Sequence, residues 1–335
     1  MMANLLALRH GRLPSVTIDR FLASKWFATS VQPLEWTLPP TWDSIAGDYQ
    51  TSDGWIKLHT NAPLHRLAAL RALGLNARDT ELSREQIAAA VRTTQASALE
   101  LEIIQQGGCA AQMRSSQDWA RHPQGLAVSQ EPLLAIRDID SASIPAAWPL
   151  SFERPLEGIR VLDLTRILAG PIATRYLASW GAQVLRIDPL DWDEPVVAPE
   201  VTVGKRRARL DLKHPDGKNK FEQLLRQADV LVHGYRADAL ERLGLGQARR
   251  HELNPALVDV SLNAYGWTGE WSCRRGFDSL VQMSSGIAQT GMALQGKGVP
   301  TPLPVQALDH ATGYMLAAAV LRGLARRLTH GGASH

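Results

Sequence analysis

The stretch 156-LEGIRVLDLTRILAGPIATRYLASWGAQVLRIDP-189 reads as strand, helix, strand. IRVLDL (159–164) is a short apolar run, a helix fits 170-GPIATRYLASW-180, and QVLRID (183–188) is a second short run. The same alternation continues outward. ARLDL (208–212) is extended, Pro215 opens a helix through KFEQLLRQA, and DVLVHGY (229–235) is a strand. A further helix ends near Asn254, and LVDVSLNAYG (257–266) follows as a strand. Short apolar strands alternating with helices predict an α/β fold built on a Rossmann-like, doubly wound parallel sheet.

The earlier part of the chain has a different texture. Helices fit 2–9 and 19–28, with a strand SVTI (15–18) between them. A hairpin is expected over 48–60, with Ser52, Asp53 and Gly54 at its turn. Helices fit 63–73, 83–92 and 95–106, and 108-GCAAQMRS-115 is extended. The Pro-rich, polar segment 138–155 reads as a linker. A length of 335 residues exceeds what one compact core usually needs, so a second, smaller α/β domain is expected.

Composition narrows the function classes. Charged residues are 21% and hydrophobic ones 45%, as in an ordinary globular protein. The net charge of +3 suits an anionic small ligand and is too diffuse for nucleic acid. The basic run 205-KRRAR-209 is read as solvated surface or a phosphate contact. Cys109 and Cys273 offer neither zinc spacing nor a disulfide framework, and a reducing, cytoplasmic setting is expected. The histidines, His10 and His310 among them, show no metal spacing, so no metal is expected. Trp42, Trp55, Trp119, Trp267 and Trp271 read as core or interface anchors. The start, MMANLLALRHGRLPS, lacks a signal-peptide pattern, and nowhere do about 18 apolar residues run together, so no membrane association is expected.

Such a sheet binds ligands at the carboxyl ends of its strands. The loop after the first strand, 165-TRILAGP-171, is not G-x-G-x-x-G, and no P-loop is present. A nicotinamide dehydrogenase and an ATPase are thereby disfavoured. A second notable segment is 301-TPLPVQALDHATGYMLAAAVLRGLARR-327, a helix with Leu316, Val320 and Leu324 four apart on one face. Asp309 near its start has two readings: an N-cap, or a nucleophilic carboxylate at a helix N-terminus. Position alone leaves both open.

The blocks 156–189, 204-GKRRARLDLKHPDGK-218, 228-ADVLVHGYRADALERLGLG-246, 254-NPALVDVSLNAYGWTG-269, 275-RGFDSLVQMSSGIAQTG-291 and 299–327 together resemble the family III CoA-transferases. The resemblance implies that Asp309, in DHATG, is a covalent nucleophile. It implies CoA contacts at Leu168, Ala169, Leu210, Lys213, Gly234, Tyr235, Arg236, Arg242 and Arg275. It further implies acyl-CoA and carboxylic acid substrates, coenzyme A as substrate with no tightly bound cofactor, and a homodimer of interlocked chains. Segments 5–24, 50–75 and 107–125 resemble the part that follows the catalytic helix in this family, so the halves stand in circularly permuted order. The expected boundaries are 1–28 completing the large domain, 29–137 the small domain, 138–155 the linker and 156–335 the CoA-binding and catalytic domain. Related racemases carry a His where this chain has Phe277, which disfavours a racemase. That enzyme and a CoA binder without catalysis are the alternatives.

Overall fold

The structure, a computed structural model, describes residues 1–27, 30–76, 82–139 and 148–335. The end of the expected 19–28 helix and the middle of the expected linker lie outside the described residues. Two compact units are present: residues 1–38, 132–263 and 307–335 form one, and residues 39–131 and 264–306 form the other. Segment 264–306 thus groups with the smaller unit, although it falls inside the 156–335 range assigned to the sheet from sequence.

Among the described residues the strands are β1 (Gly47–Gln50), β2 (Trp55–Leu58), β3 (Ala110–Gln112), β4 (Asp138–Ile139), β5 (Arg160–Leu164), β6 (Gln183–Asp188), β7 (Lys205–Arg209), β8 (Val230–His233), β9 (Val258–Ser261) and β10 (Ala333–Ser334). The larger unit carries one sheet in the order β4-β10-β9-β8-β5-β6-β7. Its neighbours from β10 to β7 are parallel, and β4 is an antiparallel edge on β10. From β5 the chain winds to β6 and β7 on one side, then to β8 and β9 on the other. The strand order therefore reverses between β5 and β8, where such sheets open a crevice at their carboxyl ends.

Side chains alternate across this sheet, as the two-residue period of a strand requires. Val161, Val184, Val230 and Val258 face the helices Ala169–Ser179, Ala307–His330 and Met2–His10, which add Ala173, Leu177, Val320, Leu324 and Leu5 to one core. Leu162, Leu164 and Leu231 face the other way and pack with Phe221, Leu225, Leu240 and Leu245. Both faces of the sheet are covered, so β8 is apolar but for His233, and β5 is apolar at Val161, Leu162 and Leu164.

Two strand expectations are corrected. The strand expected at ARLDL is β7, shifted to Lys205–Arg209. As an edge strand it does not need an apolar sequence, and Lys205 turns inward while its arginines face outward or sideways. The basic run is therefore not uniformly solvated. SVTI forms no strand: Val16 and Ile18 are 70% and 72% exposed, and no strand pairs with them among the described residues.

The smaller unit has an antiparallel sheet in the order β1-β2-β3. Its β1–β2 hairpin closes as Thr51 N–H donates to the Gly54 carbonyl at 2.9 Å, with Ser52 and Asp53 between them. Ile56, Leu58, Leu70, Ile87, Val91 and Ile103 form its core. Segment 264–306 joins through polar contacts: Gln124 donates to the Tyr265 and Thr268 carbonyls, and Glu100 pairs with Arg274. No described helix is long and apolar enough to cross a membrane.

Two buried histidines give this unit a pH dependence. Burial, reinforced by the neighbouring His65, lowers His59 from the ordinary 6.5 to about 3. Burial together with Arg275 lowers His65 to about 4. Both are neutral in the fold and take up protons first in the unfolded chain, so their contribution is complete above 6.5 and is lost as the pH falls toward 4. Urea unfolding followed by tryptophan fluorescence should show stability falling by several kcal/mol across that window. His59→Phe, in a position already stacked on Phe277 at 3.8 Å, should flatten the dependence.

Candidate active site

The loop after β5 is held by a buried ionic cluster. Asp163 and the side chain of Lys205 are both fully buried and stand 3.0 Å apart. Asp163 Oδ1 accepts from Thr165 N–H at 2.9 Å and from its hydroxyl at 2.5 Å, and Oδ2 accepts from Thr174 at 2.5 Å. Lys205 also donates to the Pro171 carbonyl at 2.9 Å. Burial alone would push the Asp163 carboxyl up, but the Lys205 ammonium and the two hydroxyls outweigh it and hold the group below the usual carboxylate range. The lone Gly170 has a spatial reason. A Cβ there would lie 2.3 Å from the Thr165 side chain.

A second cluster shapes the middle of the loop. Ile167 adopts φ 66°, a conformation that β-branched residues rarely take. Its N–H donates to Glu194 Oε2 at 2.9 Å. Glu194 is paired with the fully buried Arg186, which also bridges to Asp188 at 3.0 Å. With both ends of the loop anchored, Arg166 projects between two aromatic rings. Its guanidinium lies 5.2 Å from the Trp192 centroid and 5.1 Å from that of Tyr235, and Nη2 donates to the Tyr235 hydroxyl at 3.0 Å. Trp192 follows β6 and Tyr235 follows β8, so this stack spans the point where the strand order reverses.

Asp309 is the third residue of the helix Ala307–His330, within its first turn. The N-cap reading is therefore displaced: an N-cap residue precedes the helix, and Asp309 is inside it. Helix direction fixes which end of the sheet it occupies. At Gly313 a Cβ would come within 2.7 Å of the Ala169 carbonyl and 2.8 Å of Ile172, whereas at Gly323 it would meet Val258 at the start of β9. The helix thus runs from the carboxyl to the amino ends of the strands, alongside Ala169–Ser179. Asp309 lies one turn before Gly313 on the same face. That puts it at the carboxyl edge, next to the start of the helix that follows β5.

The other sequence-selected residues distribute as follows. Leu168 is the residue preceding the helix Ala169–Ser179, and Ala169 is its first residue. Leu210 follows β7, its N–H donating to the Asp188 carbonyl at 3.0 Å. Gly234, Tyr235 and Arg236 follow β8 directly. Lys213 and Arg242 line a cavity of about 540 Å³ with Lys218 and Arg249, and Glu222 is the one acid on its wall. All of these lie in the larger unit, at or beyond the carboxyl ends of its strands. Arg275 is in the smaller unit, where it donates to the Gly107 carbonyl at 3.2 Å.

Sequence reasoning passed over Asp163, Arg166, Trp192, Glu194 and Lys205. A signal was available for Asp163, since a charge inside the apolar run RVLDL needs a buried partner. Its partner is distant in sequence and could not be read locally.

Residues 156–335 match CoA-transferase family III. The chain belongs to this family. Among its relatives are an acyl-CoA transferase of Gibberella moniliformis, 31% identical over 306 residues, 86% of this chain and 53% of that protein. A succinyl-CoA:glutarate CoA-transferase of Mus musculus is 34% identical over 193 residues, 53% of this chain and 43% of that protein. The crystal structure of Rv3272 from M. tuberculosis is 33% identical, with a TM-score of 0.49 over 53% of this chain and 52% of that one. The chain spans about half the length of the curated relatives it matches. The Gibberella match is long enough to extend ahead of residue 156.

The buried cluster makes a testable demand on this family member. Lys205→Met should leave Asp163 buried and unpaired, costing about 3–5 kcal/mol in urea unfolding. Pairing it with Asp163→Leu should recover most of that loss. A single variant as stable as the parent would show that the pair does not hold the loop.

Proposed function

We propose that this chain takes part in CoA transfer between an acyl-CoA thioester and a carboxylic acid, with Asp309 as the nucleophile. The observation that carries this reading is the helix geometry: Gly313 against the Ala169 carbonyl sets Asp309 beside the loop at the carboxyl edge of the sheet. The residues proposed for CoA in the larger unit are Leu168, Ala169, Leu210, Lys213, Gly234, Tyr235, Arg236 and Arg242; Arg275 is proposed separately, from the family resemblance alone. Lys213 and Arg242, with Lys218 and Arg249, supply cations for its phosphates. Tyr235 supplies an apolar face.

In the proposed reaction an Asp309 carboxylate oxygen attacks the thioester carbonyl carbon. The C–S bond breaks, giving an aspartyl anhydride and CoA thiolate. The thiolate then attacks the aspartyl carbonyl, releasing the donor acid as carboxylate and leaving an aspartyl-CoA thioester. The acceptor carboxylate repeats both steps in reverse, and Asp309 is regenerated. A carboxylate ionised at neutral pH needs no general base, though it is a weak nucleophile. Most of the acceleration must therefore come from alignment and from donors to the developing oxyanion. The free N–H groups at the start of the helix Ala169–Ser179 are suited to that task.

Incubation with an acyl-CoA, trapping with hydroxylamine and peptide mass spectrometry tests the assignment. A mass change is expected at Asp309. Asp309→Asn should keep the melting temperature within a few degrees and retain CoA binding, while transfer falls by several orders of magnitude, because an amide cannot form the anhydride. CoA binding without any adduct would favour a binder without catalysis, and epimerisation of a 2-methylacyl-CoA in deuterated water would favour a racemase. Near-parental transfer by the Asn variant would remove Asp309 from the chemistry.

A further inference from the structure

On the β10–β9 side of the sheet, three residues from separate elements converge. His251 lies on the helix Gln247–Leu253, Asp259 on β9, and His335 directly after β10. One potential ligand atom from each lies within 4.8 Å of the others, and this is the one such group of three among the described residues. His335 is positioned by its backbone, which exchanges hydrogen bonds of 2.7 and 2.8 Å with Arg137.

The polar atoms of this cluster are underused. Asp259 is fully buried, and Arg250 takes only its Oδ2, at 2.7 Å. Its Oδ1 has no hydrogen-bond partner among the described residues. Both ring nitrogens of His251 and Nδ1 of His335 are likewise buried without one. His335 Nδ1 stands 3.8 Å from Asp259 Oδ2, too far for a hydrogen bond. Buried polar atoms are normally satisfied, and so many exceptions around one point call for a common partner. His233 is the remaining neighbour. Its Nε2 faces Arg250 Nη2 at 3.4 Å and stands 3.8 Å from Asp259 Oδ1, beyond hydrogen-bond distance.

We propose that His251, Asp259 and His335 bind one divalent transition-metal ion of the zinc type, with water completing four-coordination. Two imidazoles and one carboxylate are a donor set that zinc favours over calcium or magnesium. Tetrahedral bonds of about 2.0–2.1 Å put ligand atoms roughly 3.3–3.5 Å apart, so atoms now within 4.8 Å of one another must draw together around the ion. Arg250 stays on Oδ2 while Oδ1 takes the ion. His335 is 25% exposed, which leaves a path for entry. The site is structural in purpose. Strand β10 is two residues long and meets β9 at a single register pair, Ser334 with Val258. An ion shared by His335, Asp259 and His251 would clamp that edge to the adjacent strand and its covering helix.

The test titrates the chelator-treated chain with Zn²⁺, and separately with Co²⁺ as a spectroscopic probe. One ion per chain, a higher melting temperature with Zn²⁺, and the visible absorption of four-coordinate Co²⁺ are expected. His251→Gln and His335→Ala, checked for folding by circular dichroism, should each abolish saturable binding. His214→Ala, an exposed control, should leave it unchanged. Failure of the parent chain to bind either ion saturably would overturn the proposal, as would binding that survives both ligand substitutions.

Discussion

The buried pair of Asp163 and Lys205 is the constraint on which the rest of the site depends. Removing two charges from water is expensive, and their attraction repays it only when every remaining proton and lone pair is used. Here that condition is met by Thr165, Thr174 and the Pro171 carbonyl. The pair adds little net stability compared with a well-packed apolar alternative. Its effect is geometric: a strand, an edge strand and the start of a helix are tied to one point, so the intervening loop has fixed ends.

Loop shape follows from those fixed ends. Ile167 would relax from φ 66° if its N–H could turn toward solvent, and the bond to Glu194 prevents this. Glu194 is itself fixed by Arg186, which is fully buried and also tied to Asp188. The strain at one residue is thus supported by a second ionic cluster, and it directs Arg166 between Trp192 and Tyr235. Position then passes to Asp309 through close packing. Because Gly313 lacks a Cβ, the helix Ala307–His330 approaches Ala169 and Ile172 more closely than any side chain would permit. Its 24 residues, buried at Leu316, Val320, Leu321 and Leu324, leave little freedom to shift.

What the sequence revealed divides along physical lines. Strands β5, β6, β8 and β9 were legible because most of their residues are buried and each carries a short apolar core, despite the buried charges of Asp163, Arg186, Asp188 and Asp259. Strand β7 was displaced by several residues in the reading, because an edge strand with one buried lysine looks like a charged surface run. SVTI was misread for the converse reason: alternating β-branched residues suggest a strand, but a strand also needs a neighbour. The helix carrying Asp309 was clear from its period, whereas the position of Asp309 inside the first turn depends on where the preceding chain bends. Val305, at φ 57°, marks that bend, and nothing in its identity announces it. The grouping of His251, Asp259 and His335 was invisible, since sequence spacing finds metal ligands only when they share one element or loop.

The electrostatic character of the carboxyl edge also bears on the proposed chemistry. At and beyond the carboxyl edge stand Arg166, Lys213, Lys218, Arg242 and Arg249, of which Arg242 pairs with Asp238 and Arg249 with Glu222 and Glu252; the remaining excess of cations gives a field that suits an anionic ligand. The same field would hinder a mechanism that relied on a neutral imidazole as general base, because nearby cations lower its basicity. A carboxylate nucleophile has no such requirement. It needs only to be ionised and aligned, and the anchored loop bears on the second. A cation-rich edge and a nucleophile that works without a base are therefore compatible demands on one small region of the fold.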